Sequence, residues 1–262
     1  MSSLLESLYA RHTGVGNPAW ASDDGGGKGR GRSRLPPVDS MISHVRGILT
    51  EPDLKRAREL LQQGTFEAGR LTASGQAAKV KDNLQLARRA PAYRDLDAIV
   101  QQGLGRSEAF ANVAFPNRFA PFTYNRYDVG MTYGAHVDAP FPADGRMRSD
   151  IAMTLFLSDP ASYDGGELVI EDGGAETRAK YAAGDAVVYP ATSLHHVARV
   201  TRGSRIAMIT WIQSFVPDPR HRQVLGGMLE TKLFLERTLP DAPETNAFRN
   251  ALYNLIRLWW QP

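Results

Sequence analysis

Apolar and polar residues change rhythm near Asn112. Before it the spacing is helical. Leu54, Ala57, Leu60 and Leu61 form one stripe, with Thr50 placed to cap it and Pro52 and Asp53 in the first turn. A second stripe, Tyr93, Leu96, Ile99 and Val100, predicts a helix over 91–103, followed by a short turn capped by Ser107. Met41 to Leu49 reads as an entering strand and Phe66 to Leu71 as another. Lys79 to Leu86 lines the mouth of a site or forms a solvated loop.

After Asn112 the pattern is that of strands. They cover Pro121–Tyr127, Met131–Asp138, Ile151–Leu157, Glu167–Ile170, Arg178–Tyr181, Ala186–Pro190, the run through His195, and Ile206–Phe215. About eight short strands at close spacing predict a barrel or sandwich. Helical spacing returns at Pro219–Leu239 and again after Thr245, read as the cap of a last helix carrying Phe248, Leu252, Leu255, Ile256 and Trp259. Residues 216–262 are expected to pack on the barrel or at a homomeric interface. Residues 1–40 include the glycine-rich, charged run Asp23 to Arg34 and are expected to be disordered.

Composition removes several function classes. There are 262 residues and no cysteine, so disulfides, thiolate metal ligands and a cysteine nucleophile are excluded. A cysteine-free chain suits the reducing cytoplasm, the expected location. No apolar run reaches transmembrane length, and the first residues are not expected to act as a signal peptide. A net charge of +3, without a basic patch backed by aromatics, argues against nucleic acid as a partner.

The candidate chemistry centres on Tyr133-Gly134-Ala135-His136-Val137-Asp138. His136 and Asp138 lie two apart on a strand and therefore share a face. A later histidine on a strand folding back beside them would complete two imidazoles and one carboxylate, the ligand set of non-heme Fe(II) oxygenases. His195 and His196 compete for that place. Arg205 begins an apolar strand, and a buried arginine there suits a bidentate bond to a bound carboxylate. Iron with a carboxylate-bearing cosubstrate points to 2-oxoglutarate.

From about Met41 to Pro262 the chain resembles the PKHD-type hydroxylases, bacterial Fe(II)/2-oxoglutarate-dependent dioxygenases related to prolyl and lysyl hydroxylases. The blocks that carry the resemblance include Lys79-Val80-Lys81-Asp82-Asn83, Asn125-Arg126-Tyr127, the His136 strand, and Tyr163-Asp164-Gly165-Gly166-Glu167-Leu168. They continue through Ser193-Leu194-His195, Thr201-Arg202-Gly203-Ser204-Arg205 and Trp211-Ile212-Gln213-Ser214. The resemblance implies an all-β core, a double-stranded β-helix or jelly roll of cupin-like type, with flanking N-terminal and C-terminal helices. The dioxygenase domain would span 41–215.

The resemblance also implies iron on His136, Asp138 and His195, and 2-oxoglutarate on Arg205. It favours His195 over His196 because His195 occupies the Ser-Leu-His place. Tyr127 resembles the tyrosine that helps hold the distal carboxylate in related prolyl hydroxylases; a plain core tyrosine is the rival reading, and Tyr124 is the backup. Arg202 is read as a turn residue, and Asp164 to Glu167 as a β-turn. Lys81 and Asn83 are candidates for substrate contact. One of Trp211 and Gln213, with Ser214, is a candidate to reach the site. Phe141 and Met147, in the 140–148 loop, are candidates for a substrate lid.

The implied reaction consumes O2 and 2-oxoglutarate, releases succinate and CO2, and hydroxylates an unactivated C–H bond, with L-ascorbate as reductant by family resemblance. The substrate, peptidyl or small-molecule, is left open. The chain departs from the family pattern at residues 1–40, at Ala139 and near Glu176-Thr177-Arg178. The alternative reading is a cupin-like protein that binds a metal or small ligand without 2-oxoglutarate chemistry; Arg205 argues against it.

Overall fold

Thr50, five residues beyond the first described strand, starts the first helix by a reciprocal exchange. Its hydroxyl accepts from the Asp53 N–H, and the Asp53 carboxylate accepts from the Thr50 N–H at 3.0 Å. Such a capping box contributes about 1 kcal/mol. The computed structural model describes residues 41–72, 80–142, 145–172 and 174–262. The expectations for residues 1–40, Lys79 and Gly173 lie outside that range.

In chain order the elements are β1 (Ser43–Val45), α1 (Glu51–Gln62), β2 (Phe66–Ala68), β3 (Lys81–Asp82), β4 (Leu84–Leu86), α2 (Ala92–Arg106) and α3 (Glu108–Ala114). The barrel strands follow: β5 (Pro116–Phe119), β6 (Thr123–Tyr127), β7 (Thr132–His136), β8 (Ile151–Phe156), β9 (Leu168–Asp172), β10 (Ala175–Ala179), β11 (Ala186–Pro190), β12 (His195–Val197) and β13 (Arg205–Ser214). Two helices close the chain, α4 (Pro219–Thr238) and α5 (Pro243–Trp259).

The strands form two antiparallel sheets. The larger runs β1-β11-β8-β13-β6-β4-β2, with β5 also paired to β13; the smaller runs β10-β9-β12-β7-β3. Neighbours in space are distant in sequence, as in a jelly roll. The fold is the double-stranded β-helix with flanking helices that the sequence predicts.

The larger sheet is covered on both faces. Ile151, Met153 and Leu155 of β8 pack with Leu96, Val100 and Leu104 of α2 in one core. Ala152 and Phe156, from the same strand, face the other way, into a second core with Ile170, Val187 and Tyr189 between the sheets. A strand buried on both faces needs apolar residues at every position, which explains the unbroken run Ile-Ala-Met-Thr-Leu-Phe. The second core, between the sheets, includes Val197 of β12 and packs against Tyr133 of β7.

The C-terminal helices add a third core, where Leu225, Leu229 and Leu252 meet Phe115 and Val216. Trp260 stacks on Phe215 at 4.0 Å. Among the described residues no helix is long and apolar enough to cross a membrane.

Local expectations change in several places. The strand expected over Met41–Leu49 is only Ser43–Val45, and the one expected at Arg178–Tyr181 is Ala175–Ala179. Phe66–Leu71 is a strand only to Ala68, and a 3-10 turn begins at Gly69. The segment to Leu86 forms two short strands rather than a solvated loop: Lys81 and Asp82 pair with β7, and Leu84–Leu86 with β2 and, through Leu84 and Gln85, β6. The strand rhythm begins at Pro116, since Ser107 starts a full helix through Ala114. The last helix starts at Pro243, not after Thr245. Proline presets the helical φ at its first position, and Thr245 lies inside the first turn, its hydroxyl donating to the Leu239 carbonyl at 2.7 Å.

Candidate active site

His136 and His195 are register partners on β7 and β12. Between that pair and the next, Val197 with Tyr133, β7 holds one more residue than β12. This bulge brings Tyr133 to the same side as His136, although they are three apart. Their rings stack at 3.8 Å.

Asp138 follows β7 and closes the cluster. Ligand atoms of His136, Asp138 and His195 all lie within 4.8 Å of one another. The Nε2 atoms of His136 and His195 lie 4.0 and 3.9 Å from opposite oxygens of the Asp138 carboxylate. Each Nδ1 lies near a backbone carbonyl two residues upstream, Gly134 at 2.8 Å and Ser193 at 3.0 Å. With Nδ1–H donating there, each Nε2 keeps its lone pair free. Burial pushes both imidazoles below their ordinary pKa, and His195 adds to that effect on His136. Neutral imidazole is the form that ligates a metal.

Burial raises the Asp138 carboxyl, against the Trp211 indole, which donates a hydrogen bond to it, and the charges of His136 and Lys81. Trp211 is the member of the Trp211/Gln213 pair that reaches the cluster. Gln213 instead accepts from the Arg148 N–H at 3.2 Å, and Ser214 donates to the Ala114 carbonyl. Lys81 stands over the Tyr133 ring at 5.4 Å, and burial pushes its amine down to about 8, against the pull of Asp138. His196, the next strand residue, is half-buried and contributes no atom to the cluster.

Arg205 opens β13 and is 2% exposed. Its register partner is Tyr127, and its guanidinium lies 5.3 Å from the Tyr127 ring and 5.7 Å from the Phe156 ring. No carboxylate among the described residues forms an ion pair with it, and its Nε has no hydrogen-bond partner. The Tyr163 hydroxyl, also buried, lies beside the guanidinium, within reach of its donation, and its own O–H finds no acceptor. Tyr124 points into the outer core and donates to Asp97 at 2.9 Å, away from this pocket. Arg202 holds Asp164 at 2.6 Å on the surface. Asn83 is buried and donates to Asn125 at 2.9 Å.

Two neutral imidazoles and a carboxylate match non-heme iron(II), with positions left for other ligands. A buried cation without a counter-charge matches an incoming carboxylate. Fold and site thus define an Fe(II)- and 2-oxoglutarate-dependent dioxygenase. Residues 122–213 match the model of the 2OG-Fe(II) oxygenase superfamily. The chain is 40% identical over 224 residues to a PKHD-type hydroxylase of Gluconacetobacter diazotrophicus, across 84% of this chain and 99% of that protein. A PKHD-type hydroxylase of Methylobacterium nodulans is 42% identical with the same coverage. The PKHD-type hydroxylase YbiX of Escherichia coli is 40% identical over 222 residues, again 84% and 99%. This chain belongs to the PKHD-type hydroxylase family. The cupin-like binder without 2-oxoglutarate chemistry is thereby set aside.

The places of Tyr163 beside Arg205 and of Tyr189 beside His195 were not read from the sequence. Tyr189 packs edge-on to His195 at 5.2 Å. Its place in the apolar run Ala186–Pro190 marks it only as core.

Proposed function

We propose that His136, Asp138 and His195 hold iron(II), and that Arg205, helped by Tyr127, holds the distal carboxylate of 2-oxoglutarate. The observation that carries this reading is the buried Arg205, which has no counter-charge among the described residues. An unpaired buried charge costs several kcal/mol, and a fold retains one where a ligand relieves it. When bound, iron and 2-oxoglutarate with O2 supply an oxidant that hydroxylates an unactivated C–H bond, with succinate and CO2 as co-products.

The chain's own residues orient and exclude. Gly134 and Ser193 carbonyls fix the two imidazoles, and Trp211 fixes Asp138. Phe156 and Tyr127 shield the guanidinium from water, so that one carboxylate interaction counts for more than it would in solvent. The substrate, a peptidyl side chain or a small molecule, enters beside the 140–148 loop. Ser149 ties that loop at its base by bonds to the Ala139 and Pro140 carbonyls. Lys81, over the Tyr133 ring and near Asp138, is a contact for the substrate in this reading. Ascorbate as the reductant that restores ferrous iron, and a cytoplasmic location, belong to the same reading.

The test is succinate formation from 2-oxoglutarate when O2 is admitted to anaerobically iron-loaded protein, with Arg205→Ala as control. Slow uncoupled turnover that disappears in the variant is expected. The Fe(II)/2-oxoglutarate charge-transfer absorption gives a readout that does not wait for substrate. Bound iron with neither turnover nor that absorption would overturn the assignment.

A further inference from the structure

We propose that Tyr163 donates a second hydrogen bond to the distal carboxylate of 2-oxoglutarate, and that the Asp164-Gly165-Gly166 turn serves to seat it. The proposal rests on the assignment of Arg205 above and assigns a purpose to a sequence block otherwise read as a plain turn.

The argument starts from unfilled bonds. Tyr163 is fully buried, yet its O–H has no acceptor. Other buried tyrosines in this chain are satisfied: Tyr93 donates to the Phe122 carbonyl at 2.5 Å and Tyr124 to Asp97 at 2.9 Å. Native proteins rarely leave such a group orphaned without a reason. Beside Tyr163 stands a second orphan, the Arg205 Nε–H. A guanidinium can only donate. If it donates to the phenol oxygen, the phenol O–H still lacks an acceptor. Two buried donors side by side are satisfied together by one acceptor with two oxygens, and a carboxylate is that acceptor. Glu167 is close enough for its charge to be felt at Tyr163, but it bonds neither group.

The seat is built with care at every other atom. Lys180 donates to the Tyr163 carbonyl at 2.8 Å and stands over its ring at 4.3 Å. Asp164 pairs with Arg202 through an ion pair of 2.6 Å and exchanges backbone bonds with Thr201 and Arg202. Gly165 and Gly166 both have positive φ, 69° and 66°. A Cβ on Gly165 would stand 2.0 Å from the Arg199 carbonyl oxygen. One on Gly166 would stand 3.1 Å from Arg205 Cδ and 3.2 Å from Tyr163 Cε2. The second glycine therefore lets the tyrosine and the arginine close up. The ring is held from its backbone and its face, and only the hydroxyl is unengaged.

The variant is Tyr163→Phe, which deletes that one oxygen. Dissociation constants are read anaerobically from the charge-transfer absorption of iron-loaded protein, for 2-oxoglutarate and for 2-oxopentanoate, which lacks the distal carboxylate. The expected result is a rise of about 10- to 100-fold for 2-oxoglutarate, the loss of one hydrogen bond to a charged group, with 2-oxopentanoate and iron affinity unchanged. Equal weakening of both oxoacids would show a merely structural tyrosine and overturn the proposal. Unchanged 2-oxoglutarate affinity would overturn it too. Arg205→Ala, measured alongside, separates the two failures: if it loses 2-oxoglutarate and Tyr163→Phe does not, the arginine assignment stands and only the tyrosine is wrong.

Discussion

Among the described residues two arginines are buried to nearly the same depth, Arg205 at 2% and Arg222 at 6% exposure, and they are treated in opposite ways. Arg222, in the first turn of α4, donates to the Val216 and Pro217 carbonyls at 2.8 and 2.7 Å. Burial pushes it down to about 10, against the nearby charges of Asp150 and Asp218. It is a brace between barrel and helix, and its bonds are internal. Arg205 lies among aromatic faces, with no carboxylate of the described residues paired to it. Depth alone therefore says nothing about role; what separates structure from function is whether the folded chain itself supplies the counter-groups.

The largest test of that contrast is Arg205→Met. Losing the carboxylate anchor should raise the 2-oxoglutarate dissociation constant by at least about 100-fold, read from the charge-transfer absorption. The same variant should leave the metal-free protein as stable in urea as the wild type, or more so, because it removes a buried unpaired charge. A large loss of apo stability would show that Arg205 braces the fold after all.

Ligand-linked stability comes next. At about 100 times its dissociation constant, 2-oxoglutarate should add about 2.7 kcal/mol to the stability of iron-loaded protein. Denaturant midpoints should show this gain in the wild type and in Arg222→Met, and lose it in Arg205→Met. Arg222→Met should itself cost about 1–3 kcal/mol, because two buried carbonyls lose their donor, with 2-oxoglutarate affinity within about twofold of wild type. An affinity change as large as that of Arg205→Met would abolish the distinction.

The smallest effect sharpens the metal assignment. His196→Ala should shift stability by no more than about 0.5 kcal/mol and leave iron binding intact, whereas His195→Ala should lose the metal. Titration with iron(II) under nitrogen separates the two.

Much of the site was legible in the linear chain because its logic is local. His136 and Asp138 share a face by strand period alone, and Arg205 stands out as a cation opening an apolar strand. What was not legible depends on pairing between distant segments. The bulge in β7 arises only against β12, so the stacking of Tyr133 on His136 has no trace in spacing. Trp211 meets Asp138, and Tyr163 meets Arg205, across gaps that no periodicity spans. Thr245 was read as a cap because its residue type caps well, but Pro243 had already set the helical dihedral two positions earlier.

By itself the sequence determined the class of protein: a strand-rich core between helices, a His-x-Asp pair with a later histidine, and an arginine suited to a carboxylate. Those features follow from residue type and from periods of two and 3.6, which a chain carries wherever it folds. Tertiary structure alone decided which buried tyrosine keeps an unspent hydroxyl, and which buried arginine is left without a counter-charge among the described residues. Hydrogen-bond and charge satisfaction is a property of the assembled interior, set by partners that folding brings together from far along the chain.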